Sequence, residues 1–185
     1  MQTLVACAVE QFGRLDVMVS NADWTHRNRP ALEVSEEEFD RCFAVNVNRL
    51  SLATIHATPV FRAHGGGSFT TIASTAGLRP RPGLTWYNAS KGAAITVSRS
   101  LAAEPGPDNI RVNFINPVFN PDTGLSTEFA GGPLDEARRA KFLSTMPLGR
   151  FSSSLDVANA VLYLASDEAS FISGVCIEVD GARCV

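Results

Sequence analysis

The stretch LDVMVSNA, residues 15–22, is the first clear strand pattern of this chain. It is a short, mostly apolar run that follows Gly13. Runs of this kind are typical of strands that are covered on both faces, as the strands of parallel sheets are. The stretch therefore predicts a parallel β-strand near the start of the chain.

The chain beyond this strand carries two long helical patterns. Ser35 and Glu38 have the spacing of a capping box and begin the first helix, which extends to about residue 62. Its apolar stripe steps by four and three residues and comprises Phe39, Phe43, Asn46, Leu50, Ala53 and Ala57. The stretch WYNASKGAAITVSRSLAAE (86–104) predicts the second helix, which the PGP at 105–107 stops. Its inward residues are predicted to be Ala94, Val97 and Leu101.

Further strands and helices follow from similar patterns. The strands are GGGSFTTIAS (65–74), IRVNFIN (110–116) and VCIEVDG (175–181). An amphipathic helix is predicted over 135–146, after a Pro/Gly-rich stretch, and Ser153 with Asp156 caps another helix. The inward residues of that last helix are predicted to be Ala158, Val161, Leu162 and Ala165. This alternation predicts an α/β fold with a parallel sheet, in one domain over residues 1–185.

Composition excludes several classes of partner. The formal net charge of −3 favours neither nucleic acid nor an anionic membrane. No apolar run reaches the roughly 18 residues of a membrane helix, and the N-terminus lacks the basic segment of a signal peptide. We therefore expect a cytoplasmic protein. The four cysteines and three histidines show no ligand spacing, so we predict reduced thiols and no metal site.

Four polar residues form a set that indicates acid/base chemistry. Tyr87 and Lys91 are four residues apart and share one face of a helix. Ser74 ends a predicted strand, where ligands collect at the carboxyl edge of a parallel sheet. Asn46 is the polar member of an apolar stripe and needs hydrogen-bond partners, either as a structural bridge or as a site residue. The set indicates an active site for carbonyl or alcohol redox chemistry.

Seven segments, in this order, resemble the short-chain dehydrogenase/reductase family. They are FGRLDVMVSNA, FAVNVN, TIASTAG, YNASK, NIRVNFINP, PLGRFSSSLDVANAVLYLASDEASFISG and VDG. A lone YxxxK motif occurs by chance in many proteins, whereas seven ordered segments that span nearly the whole chain are specific. The resemblance implies a Rossmann-like parallel sheet with flanking helices.

The resemblance also implies a role for each of the four polar residues. Tyr87 is the expected general acid/base on the substrate oxygen. A free tyrosine has a pKa of about 10, which is poorly suited to proton transfer at neutral pH. The ammonium of Lys91 is expected to lower that pKa and to hold the nicotinamide ribose. Ser74 is expected to polarise the substrate oxygen, and Asn46 to hold a water that links Lys91 to solvent.

The implied cofactor is NAD or NADP, between which the sequence does not discriminate. The residues expected to contact it are Asn21, Ala22, Tyr87, Lys91, Pro117, Val118 and Thr123. Family members carry a Gly-rich loop after their first strand that binds the pyrophosphate, and nothing before Leu15 supplies one. The glycines at 65–67 precede a strand and are predicted to form a turn. We therefore expect an N-terminally short chain, the C-terminal catalytic portion of the fold without its first βαβαβ portion, with impaired cofactor binding.

Two positions depart from the family pattern. The usual NNAG is Ser20-Asn21-Ala22-Asp23, which either places a carboxylate beside the cofactor path or points that side chain to solvent. The usual PG after the third strand is Pro117-Val118. Thr123 is the best match to the residue that contacts the nicotinamide carboxamide, although the segment before it is one residue longer than the common spacing.

Aromatic residues surround the expected catalytic face. Trp24, Trp86 and Phe119 line the substrate pocket or serve as ordinary packing, and the segment 124–146 resembles a substrate-covering lid. A small-molecule substrate with an apolar body is expected. The resemblance further implies a dimer or tetramer of identical chains, formed by the helices at 36–62 and 86–104 and the C-terminal segment.

The function predicted from these residues is NAD(P)-dependent interconversion of a ketone and a secondary alcohol by hydride transfer. Two alternatives stay open. One is a catalytically impaired member of the family that acts as a scaffold or partner subunit. The other is a non-redox isomerase, dehydratase or cyclase, because proton transfer needs only the acid/base pair.

Overall fold

A four-stranded parallel sheet is the centre of the computed structural model, which describes all 185 residues. The strands are β1 (Val17–Ser20), β2 (Gly67–Ile72), β3 (Ile110–Pro117) and β4 (Cys176–Val179). They are hydrogen-bonded in chain order, so that β1 and β4 form the two edges. Parallel strands end at one edge of the sheet, which therefore gathers the residues that follow β1, β2 and β3. The predicted α/β fold with a parallel sheet is confirmed.

Seven α-helices connect or flank the strands. They are α1 (Gln2–Phe12), α2 (Glu36–Phe43), α3 (Arg49–Ala63), α4 (Thr85–Ala103), α5 (Ser126–Ala130), α6 (Glu136–Leu143) and α7 (Ser154–Ala165). Both predicted capping boxes are present, at Ser35–Glu38 and at Ser153–Asp156. None of these helices is both long and apolar enough to cross a membrane.

One face of the sheet carries the main hydrophobic core. Helices α1 and α3 pack there, and the core consists of Val5, Met18, Ala53, Ala57, Phe61, Phe69, Ile110 and Val112. The rings of Phe61 and Phe69 lie 4.9 Å apart in an edge-to-face arrangement. A Cβ atom on Gly67 would fall 2.4 Å from the Phe61 ring, so this strand must begin with a glycine. Full burial of a phenylalanine of this kind stabilises the fold by about 1.5–3 kcal/mol.

Helix α7 covers the opposite face through polar contacts. The Ser68 hydroxyl donates to the Leu164 carbonyl at 3.3 Å, and Arg111 donates to the same oxygen at 2.7 Å. No helix covers β1 on this side, so Val17 and Val19 are exposed while Met18 and Ser20 are buried. The prediction that this stretch is covered on both faces is therefore wrong.

The first long helix is interrupted by a π-helical turn over Ala44–Asn48. The wider turn changes the phase of the buried stripe, which begins at Cys42 and continues through Asn46, Leu50, Ala53 and Ala57. Phe39 and Phe43, predicted to point inward, are only half-buried and contact each other at 4.7 Å. This part of the predicted stripe is wrong because the period of a regular α-helix does not include the extra residue of a π-helical turn.

The inward faces predicted for the last two long helices are also partly wrong. On α4 Ala94 is buried and Leu101 is partly buried against the main core, as predicted. Val97 instead borders an open groove beside α3. On α7 only Leu164 is buried, and Ala158 and Leu162 are exposed. The apolar side of α7 borders the cavity next to the uncovered face of β1, so it carries an amphipathic pattern without facing a core.

Candidate active site

A cavity of about 730 Å³ opens at the carboxyl edge of the sheet. Its volume is in the range of small-molecule and cofactor sites. Six of the predicted site residues line it, namely Asn21, Ser74, Tyr87, Pro117, Val118 and Thr123. Lys91 and Asn46 are buried directly behind its wall, and Ala22 is exposed beside it. The fold thus brings residues from five separate segments to one place.

Ser74 follows the end of β2 and is held there by its backbone. Its N–H donates to the Asn116 side-chain oxygen at 3.2 Å, and its hydroxyl accepts from the Ala76 N–H at 3.1 Å. A Cβ on Gly77 would lie 2.8 Å from backbone atoms of Lys91 and Gly92. The glycine is needed because this turn runs directly against helix α4. That close approach places Ser74 on the same cavity wall as Tyr87.

Asn116 is a site-supporting residue that the sequence analysis missed. It is fully buried, and its side-chain NH₂ group donates to the Cys176 sulfur at 2.7 Å. The available signal was a polar residue inside the buried strand IRVNFIN, because a buried amide must have partners.

Tyr87 and Lys91 lie on the first two turns of α4, as their spacing predicted. The Tyr87 hydroxyl donates to Oδ2 of Asp23 at 3.1 Å. The Lys91 Nζ lies 3.1 Å from Oδ1 of the same carboxylate and donates to the Ile72 carbonyl at 3.3 Å. The Lys91 side chain is 1% exposed and that of Asp23 is 23% exposed. One carboxylate therefore bridges the two residues of the predicted acid/base pair.

The position of Asp23 decides between the two orientations that the sequence left open. Its side chain points into the site and lines the cavity, rather than pointing to solvent. It also accepts from the Trp24 N–H at 2.8 Å, which fixes the carboxylate next to the loop backbone. The solvent-facing alternative is therefore wrong.

The protonation chemistry of Tyr87 differs from the sequence-based expectation. Burial raises the pKa of the Tyr87 phenol well above its ordinary value, and the Asp23 carboxylate raises it further. A side-chain interaction with Ser74 acts in the opposite direction. Burial lowers the pKa of Lys91, and Asp23 opposes that change. The predicted lowering of the tyrosine pKa is wrong because burial and the Asp23 carboxylate both favour the neutral phenol.

Asn46 occupies the π-helical turn and is fully buried. Its amide makes two hydrogen bonds to the backbone of Trp24 and donates to the Ser90 hydroxyl at 2.9 Å. Turns of this type are frequent at functional sites. The contacts link Asn46 to the loop that carries Asp23, whereas its predicted role in a water relay stays a prediction.

Aromatic rings form one side of the cavity. Phe119 and Phe129 line it, with ring centroids 5.4 Å apart, and Phe129 meets the edge of Tyr87 at 5.7 Å. Trp86 instead packs against Phe39, and Trp24 packs outside the cavity under Arg41. Phe129 was not identified individually from sequence, because its short helix α5 begins within a Pro/Gly-rich stretch.

The residues at the cavity fit the nicotinamide end of a dinucleotide better than its pyrophosphate. Asn21 and Thr123 offer polar side chains there, and Pro117 and Val118 form an adjoining wall. The triple glycine at 65–67 lies at the start of β2, at the opposite edge of the sheet, as a turn. It therefore cannot hold a pyrophosphate next to Tyr87. No group of three or more His, Cys, Asp or Glu side chains is placed to hold a metal ion.

Comparison with known proteins matches residues 1–182 to the family described as Enoyl-(Acyl carrier protein) reductase. A 4-formylbenzenesulfonate dehydrogenase from Comamonas testosteroni is 46% identical over 182 residues, which cover 98% of this chain and 72% of the relative. A 3-oxoacyl-(acyl-carrier-protein) reductase from Thermotoga maritima is 35% identical over 181 residues, covering 98% and 71%. The crystal structure of a 3-ketoacyl-(acyl-carrier-protein) reductase from Brucella melitensis complexed with NADH has a TM-score of 0.91 and 39% identity, covering 99% of this chain and 73% of that one.

Proposed function

The chain belongs to the short-chain dehydrogenase/reductase family, and from this premise we propose that it interconverts a ketone and a secondary alcohol with NAD(P). Tyr87 is the proposed general acid/base, Ser74 the group that polarises the substrate oxygen, and Lys91 the buried cation behind them. The observation that carries the proposal is that Ser74 and Tyr87 line one cavity, with Lys91 directly behind it.

In the direction of carbonyl reduction, each residue has a distinct task. The Ser74 hydroxyl donates a hydrogen bond to the carbonyl oxygen, which stabilises the negative charge that develops there. The Tyr87 hydroxyl turns from Asp23 to the same oxygen and gives up its proton. The Lys91 ammonium stabilises the resulting phenolate. The same proton moves back to Tyr87 when an alcohol is oxidised.

The cofactor assignment is supported by the relatives and by the residues at the cavity. The Brucella melitensis reductase was crystallised with NADH. In this chain the nicotinamide end would be held by Asn21, Pro117, Val118 and Thr123. Its ribose would be held by Lys91. A bound reduced cofactor supplies the hydride that the carbonyl carbon accepts.

The substrate proposed for this site has an apolar, aromatic body. Phe119 and Phe129 offer ring surfaces next to Tyr87, and the relatives include a dehydrogenase named for 4-formylbenzenesulfonate. Aromatic rings pair favourably with other rings, by about 0.5–1.5 kcal/mol beyond area burial. An aryl ketone or aryl carbinol therefore suits this wall better than a sugar would.

Two features of the surroundings complete the proposal. The groove between the π-turn, α3 and α4 is lined by Phe43, Val47, Ile55, Val97 and Leu101, and it supports association into a dimer or tetramer through these helices.

All four cysteines are unpaired thiols, which supports a reducing, cytoplasmic location.

The experiment that tests the proposal titrates the purified chain with NADH and NADPH and follows nicotinamide fluorescence. Saturable binding, followed by cofactor oxidation with aryl ketones, is the expected result. A folded chain that binds neither nucleotide would refute the proposal and favour a scaffold. Product formation from the same substrates without cofactor would refute it in favour of non-redox chemistry.

A further inference from the structure

Asp23 is the residue of this site for which neither the acid/base mechanism nor the family pattern provides a role. It lies three residues after β1, at the position where the family pattern has a glycine. Its two carboxylate oxygens contact different groups, since Oδ2 accepts from the Tyr87 hydroxyl and Oδ1 lies next to the Lys91 ammonium, both at 3.1 Å. It thus contacts both groups on which proton transfer depends.

This arrangement changes the electrostatics that Tyr87 experiences. A lysine near a tyrosine normally favours the phenolate. Here the Lys91 Nζ is 5.5 Å from the centroid of the Tyr87 ring and is paired directly with Asp23. The positive charge is therefore balanced by a carboxylate that is hydrogen-bonded to the phenolic oxygen. The hydroxyl also uses its only proton in the bond to Asp23.

The other charged or titratable groups near the Asp23 carboxylate do not reverse its effect on Tyr87. The Cys42 thiol is buried, and burial raises its pKa, so it stays neutral. Arg49, at the first turn of α3, interacts with both Asp23 and Lys91, and its Nε and one terminal nitrogen are buried without a partner. Burial and Asp23 both raise the pKa of Tyr87, as the geometry requires.

We propose that Asp23 holds Tyr87 in its protonated form and so sets the pH at which the site works in each direction. The inference rests on the proposed function. In reduction, the Tyr87 O–H bond breaks and its proton joins the carbonyl oxygen, while the carbonyl carbon takes the hydride of NAD(P)H; the phenolate then recovers a proton from solvent. In oxidation, Tyr87 must already be a phenolate to accept the alcohol proton. Reduction therefore proceeds at neutral pH, and oxidation needs alkaline pH.

The chain permits a direct test because Tyr87 and Tyr163 are its two tyrosines. In a Tyr163→Phe background, the ultraviolet band of tyrosinate reports Tyr87 alone. The titration needs neither cofactor nor substrate, so it tests the role of Asp23 even where the proposed function fails. Asp23→Asn keeps the shape of the side chain and removes its charge. Asp122→Asn, at an exposed aspartate, is the matched control.

We expect Asp23→Asn to lower the ionisation midpoint of Tyr87 by about one pH unit or more, the size expected for removal of a nearby full charge. Asp122→Asn should leave the midpoint unchanged. Asp23→Gly serves as a second variant and should shift the midpoint in the same direction. An unchanged or higher midpoint in both Asp23 variants would overturn the proposal, as would the absence of tyrosinate in every protein up to alkaline unfolding. For an active enzyme, Asp23→Asn should also move the pH profile of alcohol oxidation to lower pH.

Discussion

The side-chain amide of Asn46 is hydrogen-bonded twice to the backbone of Trp24, donating to its carbonyl at 2.8 Å and accepting from its N–H at 3.0 Å. This pair joins the π-helical turn to the loop after β1 that carries Asp23. A buried amide with both functions satisfied in this way fixes the backbone of the loop. The loop in turn fixes the carboxylate between Tyr87 and Lys91.

Asn46→Ala should therefore destabilise the protein and disturb the site together. The Trp24 carbonyl loses its amide donor while the N–H keeps only Asp23, and an unsatisfied buried group costs about 1–3 kcal/mol. Urea unfolding should show a lower midpoint with an unchanged slope. Asn48→Ala is the matched control, because Asn48 is an exposed asparagine two residues after Asn46. This variant should unfold like the parent. Equal midpoints for the two variants would contradict this role.

Ser74→Ala should impair catalysis far more than stability. The hydroxyl is the proposed donor to the substrate oxygen, and loss of one such donor lowers kcat by about 10²–10³-fold. The variant should still bind NADH as the parent does. Ser126→Ala, at another serine that lines the cavity, should keep its turnover. Similar losses of kcat in both variants would argue against a specific task for Ser74.

Phe129→Ala should weaken substrate binding. Its ring contacts both Tyr87 and Phe119, so its removal opens the aromatic wall of the cavity. For an aryl ketone, we expect KM to rise about tenfold, which corresponds to about 1.4 kcal/mol. The control is Phe171→Ala, at a phenylalanine that is fully exposed. An unchanged KM in Phe129→Ala would show that substrate binds away from this ring.

Stability should depend on the carboxylate of Asp156 in a defined pH range. The Arg150 guanidinium and the Ser153 cap hold the pKa of Asp156 well below its usual range. A lowered pKa in the folded state adds stability above the unfolded pKa of about 3.9, and that stability is lost as the pH falls through the folded value. Asp156→Asn should therefore melt below the parent at pH 7, and the difference should shrink in acid below about pH 4. A difference that grows in acid would contradict the assignment, and Asp122→Asn should show none.

Local patterns in the sequence were sufficient to predict the sheet and both capping boxes. The runs 15–22, 65–74 and 175–181 contain three of the strands, and the run 110–116 covers all of β3 except Pro117, because apolar content and turn residues are local properties. The spacing of Tyr87 and Lys91 on one helix was equally local. These features can be predicted without knowing which elements pack against each other.

Other features depend on tertiary contacts and could not be read from the sequence. The π-turn at Ala44–Asn48 changes the phase of a stripe that looks regular in the sequence. The direction of the Asp23 side chain is decided by Lys91, which lies 68 positions later and reaches it only in the folded chain. Burial and the Asp23 carboxylate both raise the pKa of Tyr87, so the expectation based on spacing had the wrong sign.

The role of Tyr87 as general acid/base is tested by comparing Tyr87→Phe with Tyr163→Phe in carbonyl reduction. Both variants lose one hydroxyl, but only Tyr87 lines the cavity, whereas Tyr163 is exposed on α7. Tyr87→Phe should lower kcat by about 10²–10⁴-fold, which is the contribution of a positioned general acid, and should keep the parent's fold and NADH binding. Tyr163→Phe should retain full activity. Parent-like turnover in a folded Tyr87→Phe variant would contradict the account.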